Sequence, residues 1–148
     1  MFEAITRLFS KPEAALDLHD PKLATAALLV HLAAVDGQMK DAERKAIKEA
    51  LQDHYDMDEA SVDKLVQQAA LRDAEAVDFY KFTSTLTQLS MDDRIEIVRM
   101  MWTVVFADSK NHELEDNMVW RIAELLGVSS RDRTILRSQV SKARKSAE

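Results

Sequence analysis

The chain repeats itself. Val35-Asp36-Gly37-Gln38-Met39-Lys40-Asp41-Ala42-Glu43 and Ala107-Asp108-Ser109-Lys110-Asn111-His112-Glu113-Leu114-Glu115 carry acids at the same relative positions, 72 residues apart. Asp36, Asp41 and Glu43 correspond to Asp108, Glu113 and Glu115. Each stretch follows a strongly apolar segment and precedes a charged, helix-like one. A chain built this way is a duplicated unit with one acidic loop per copy.

The units are helical. Only two glycines and two prolines punctuate 148 residues. A β-rich fold needs far more turn residues, so short helix connections are favoured. The expected class is all-α, with about seven main helices and a short N-terminal one, in a single domain over residues 1–148. The copies span roughly 20–71 and 92–144.

Asp20-Pro21 reads as an N-cap followed by a first helical residue. From Leu23 to Val35 nearly every side chain is apolar, the pattern of a central buried helix. Its counterpart runs from Met91 to Ala107, with Asp92 matching Asp20. Amphipathic helices are expected over Asp41–His54, with Ala46, Ile47, Ala50 and Leu51 inward, and over Glu113–Leu126. In the latter Leu114, Met118, Ile122, Leu125 and Leu126 point inward, and Gly127 is the stop. Asp58 and Ser129 cap further helices reaching about Leu71 and Arg144. Another, from about Ala76 to Leu89, links the halves. Phe2, Ile5, Leu8 and Phe9 recur at helical spacing near the start.

Composition excludes several chemistries. Without cysteine there are no disulfides, thiolate zinc sites or Cys nucleophiles. No signal peptide is visible, and the longest apolar stretch is well short of the ~20 residues of a membrane span. These features favour a cytoplasmic protein. The net charge of −6 divides into +4 from Ser129 to Glu148 and −10 elsewhere. An acidic body argues against nucleic acid as a partner. The basic end reads as a solvated last helix, with an acidic partner or lipid as the alternative.

The six carboxylates admit two readings, which coexist. As scaffold, Asp36 and Asp108 accept loop N–H groups, and Asp41, Glu43, Glu113 and Glu115 favour the positive first turns of the next helices. As a site, clustered carboxylate oxygens suit a hard divalent cation such as Ca²⁺ or Mg²⁺. The spacing is not that of an EF-hand, because Gly37 follows Asp36 directly. No Glu has a His three residues on, and H-E-x-x-H, phosphate-loop and G-x-S-x-G patterns are absent. His31 reads as a hydrogen-bonded core residue. His112 lies within the second loop. Trp102, Trp120, Met100 and Met101 read as core. No catalytic residue is assigned.

This succession, an apolar helix, Ala/Val-Asp-Gly, an acidic first turn and an amphipathic helix, given twice, resembles the TerB-like tellurite-resistance superfamily from about Leu23 to Ser141. Asp36-Gly37 with Glu43 follows its pattern closely. Asp108 with Glu115 keeps the spacing, with Ser109 where glycine is usual. Ile122-Ala123-Glu124-Leu125-Leu126-Gly127-Val128 also looks typical. The resemblance implies two interlocked helical halves. It further implies a bacterial, mainly cytoplasmic protein connected with metal or stress response and membrane-associated complexes, without an established enzymatic activity.

Three functions are therefore expected in descending order. The first is a noncatalytic interaction module whose acidic loops bind a divalent cation or a basic protein partner. The second is a metal-dependent hydrolase using the same carboxylates. The third is a peripheral membrane scaffold anchored weakly by Phe2–Phe9 and the basic end.

Overall fold

The computed structural model describes residues 20–35, 39–75, 80–107 and 113–147, with the backbone alone at 72–75, 80–81 and 145–147. The expected N-terminal helix, Asp36, Asp108 and His112 lie outside these residues. Seven helices are described: α1 Pro21–Ala33, α2 Asp41–Tyr55, α3 Glu59–Glu75, α4 Tyr80–Leu86, α5 Met91–Val105, α6 Glu113–Leu125 and α7 Ser130–Ala147. Described residues contain no strand, as the shortage of turn formers predicts.

The buried helix of the first copy is α1. Ten of its thirteen residues are buried. Ala24, Ala26, Ala27 and Ala33 present almost no side chain, which lets neighbours approach. That small bulk is needed because α1 touches α2, α3, α4, α5 and α6. Leu28, Leu29 and Leu32 are fully enclosed, each worth about 1.5–3 kcal/mol of burial. Its start is set by Asp20, whose Oδ1 accepts the Lys22 N–H at 2.9 Å, with Pro21 next.

The second copy has the same plan around α5, with Trp102, Met101, Ile97 and Val98 fully buried. Its cap is Ser90, whose Oγ accepts the Asp93 N–H at 3.2 Å. The helix begins at Met91, as expected, and Asp92 lies in its first turn beside Asp93. The halves interlock, because α2 packs on α5 and α6 packs on α1. One apolar cluster includes residues from all seven helices.

Both amphipathic helices end in the same way. The Gly127 N–H donates to Glu124 O and the Val128 N–H to Ala123 O, with Gly127 at φ +77°. These bonds form a Schellman stop, and buried Val128 seals it. In the first copy the Met57 N–H reaches Gln52 O across Asp56, at φ 54°. Aspartate thus takes the left-handed position that glycine fills in the second copy. Asp58 and Ser129 cap α3 and α7 as expected, accepting from the Ser61 and Asp132 N–H groups at 2.8 and 3.1 Å.

Three expectations need correction. Leu114 points outward, at 58% exposure. The buried line of α6 is Glu115, Val119, Ile122 and Ala123, and Leu114 lies about 100° round the helix from Glu115. The linking helix ends at Leu86, with Gln88 and Leu89 in turns. His31 is half-buried, so it faces the edge of the core.

Candidate functional site

The repeated acids separate by helical position. Asp41 and Glu113 are the first residues of α2 and α6, and both are exposed. Glu43 and Glu115 are the third residues of the same helices, and both are completely buried. A position two residues further along a helix is turned about 200°, so one acid faces water and its neighbour the protein. Both positions lie in a first turn, where the exposed N–H groups favour negative charge.

Glu43 makes half of a capping box. Its Oε1 accepts the backbone N–H of Lys40, the residue preceding α2, at 2.9 Å. Lys40 has a donor-only side chain and returns no acceptor. The second carboxylate oxygen, Oε2, is buried and has no hydrogen-bond partner among the described residues. An unsatisfied buried oxygen on an ionised group costs more than the ~1–3 kcal/mol of a neutral one. Glu43 therefore places a strong acceptor inside the protein, with one oxygen fixed at the end of the first loop.

Among the described residues no three histidine or carboxylate side chains gather into a metal-binding group. A complete site therefore needs loop residues such as Asp36 and Asp108. The burial of Glu43 and Glu115 was not read from the sequence. The available signal was a glutamate three residues after the loop, but lysine in place of the usual Ser, Thr, Asp or Asn concealed the box.

The basic end mostly serves its own fold. Arg133 Nη1 donates to Trp120 O at 3.1 Å, and its guanidinium lies 5.0 Å from the Trp120 ring. Arg137 lies 5.2 Å from both Trp102 and Phe106 and pairs with Asp116 at 3.0 Å. Arg144 Nη2 donates to Ala107 O, beside the second acidic loop, at 2.9 Å. Trp102 also stacks on Phe106 and meets Trp120 edge-on. These aromatic residues are core and its margin, as their spacing suggested.

Tyr55 joins the two ends of the first copy's helices. Its hydroxyl lies 2.8 Å from Thr25 Oγ1 and donates to Pro21 O at 3.4 Å. Burial, followed by smaller effects from Asp20 and Asp93, holds the phenol above its ordinary value, against the Thr25 bond. His54 packs edge-on against Tyr55. Lys48 reaches Asp63 at 2.7 Å, which raises its pKa. Both groups are solvent-exposed enough to make this pair a weak tether between α2 and α3.

A sequence model of the family described as tellurite resistance protein TerB matches residues 22–138, spanning both copies. The chain belongs to the TerB family. No curated protein and no solved structure matches it. The match covers both TerB acidic loops and all seven described helices in whole or in part. No described helix of this TerB chain is long and apolar enough to cross a membrane.

Proposed function

We propose that this TerB-family chain is a noncatalytic interaction module whose two acidic loops bind a divalent cation, Ca²⁺ or Mg²⁺, and present the loaded surface to a protein partner. The supporting observation is Glu43, fully buried with one carboxylate oxygen unpartnered among the described residues. A hard cation takes oxygen donors and removes the cost of that buried acceptor. Asp36 and Glu43 would supply oxygens in the first loop, and Asp108 and Glu115 in the second. Asp41 and Glu113, exposed on the adjoining turns, would act through charge. The cation would supply positive charge that offsets the clustered carboxylates and orders the loops.

We place the module in the cytoplasm and in a tellurite stress response, the latter supported by the family description. The test is thermal unfolding of chelator-treated protein with and without each cation, beside an Asp36→Asn/Asp108→Asn variant. At one hundred times the dissociation constant, binding adds about 2.7 kcal/mol of stability. The expected result is a raised midpoint that the variant loses. An unchanged midpoint in well-folded protein would leave the acids as scaffold.

A further inference from the structure

Among the described residues, the helix α4 has no counterpart placed on the other half. Between the copies, α4 lies on α1 and against α6, burying Phe82 and Leu86. The repeat exchanges α1 with α5 and α6 with α2. The equivalent seat is therefore on α5 against α2. An open groove of about 460 Å³ occupies that place, bordered also by Arg144 of α7. Ala46, Ala50 and Met100 contribute its apolar surface. It shares Arg99, Thr103 and Arg144 with a second depression of about 330 Å³, which Phe106 and Val140 line.

We propose that this groove is the docking site of the chain's own Phe2–Phe9 segment, which takes the place on α5 that α4 takes on α1. Position is the first argument. The chain joins α1 at Pro21, where the Tyr55 hydroxyl binds it. Asp53 and His54, just before Tyr55, line one end of the groove. Residues 11–19 span up to ~30 Å when extended, ample to reach back along it.

Spacing is the second argument. Phe82 and Leu86 are four residues apart and buried, and Ile5 and Phe9 have the same separation. Such pairs lie on one helix face. Phe2, three residues before Ile5, lengthens that face, and Leu8 flanks it.

Charge is the third argument. Tyr55, at the end of α2, senses Asp93 at the start of α5, so these helices run in opposite directions along the groove. Asp53 and Glu96 thus mark the end near Pro21. Arg144, which has no carboxylate partner among the described residues, marks the end beside Ala107. Read back from its end nearer Pro21, the Phe2–Phe9 segment offers Arg7 first and then Glu3. The Arg7 cation meets the acidic end, and Glu3 meets the arginine end.

The chain has no cysteine, so a nitroxide on Thr6→Cys is a unique probe. Amide spectra of the full chain should show strong broadening at Ala50, Arg99 and Thr103 and none along α3. Ala50→Arg, at the half-exposed groove wall, should abolish that broadening with the remaining amide shifts and the far-ultraviolet dichroism unchanged. Ile5→Ser/Phe9→Ser, which leaves the groove intact, should abolish it as well. Absence of broadening at the groove, or broadening that survives both variants, would overturn the proposal. Mixing isotopically unlabelled, spin-labelled chain with isotopically labelled, probe-free chain separates copies. Broadening of the same strength in that mixture would assign the groove to a second copy and overturn docking within one chain.

Discussion

Glu43 and Glu115 occupy the third position of α2 and α6, 72 residues apart, and neither exposes any side-chain surface. Two buried carboxylates at equivalent places in a duplicated fold share one local cause. Each stands where a helix's first free N–H groups attract negative charge. Burial then makes that charge consequential, since the interior offers few other partners.

Replacing Glu43 tests its two oxygens separately. Glu43→Gln retains an acceptor for the Lys40 N–H and removes the charge. Glu43→Ala removes both and leaves a buried gap. Urea unfolding should show a loss of about 1–3 kcal/mol for alanine and a smaller loss for glutamine. Equal losses would mean that the bond to Lys40 contributes nothing.

The left-handed stops predict opposite outcomes from two substitutions. Asp56→Gly relieves a non-glycine residue at φ 54° and should stabilise by about 0.5–1 kcal/mol. Gly127→Ala forces a side chain into φ +77°, with its Cβ 3.2 Å from Arg94 Nη1, and should cost about 1–2 kcal/mol. Arg94 cannot yield freely, because the same Nη1 donates to Leu126 O at 2.9 Å. Chemical denaturation of both variants measures the two signs directly.

Tyr55 and Asp58 should shape the pH dependence of stability. Burial raises the Tyr55 pKa, so the folded chain holds this proton more tightly than the unfolded one. That stabilisation is complete below about pH 10 and is lost as pH rises through the raised value. Asp58 is lowered by the Ser61 N–H, so its contribution is present above about pH 3.9 and is lost as pH falls through the lowered value. Tyr55→Phe should flatten the alkaline limb and Asp58→Asn the acid limb of a stability–pH profile. Unchanged limbs would show that other groups govern them.

The central helices were legible because their composition leaves no polar face, and the caps because Asp20, Asp58, Ser129 and Gly127 are chemically specific. The seat of Leu114 was not legible. Hydropathy placed it inward, whereas the buried line passes through Glu115, a charge that hydropathy assigns to water. Ser90, the acceptor that caps α5, was not read from the sequence, although the start at Met91 was. The groove on α5 depends on which helices the second copy places beside α2, information that lies in tertiary packing. The four first-turn acids looked alike in the sequence, and helix phase separated exposed Asp41 and Glu113 from buried Glu43 and Glu115.

Calorimetric titration of chelator-treated protein with Ca²⁺ and Mg²⁺, repeated on Glu43→Gln/Glu115→Gln, bears most directly on the acidic loops. Saturable binding of roughly micromolar strength that disappears in the folded double variant is the expected result. No heat beyond dilution in the well-folded parent, or binding that survives loss of both buried charges, would contradict the cation role.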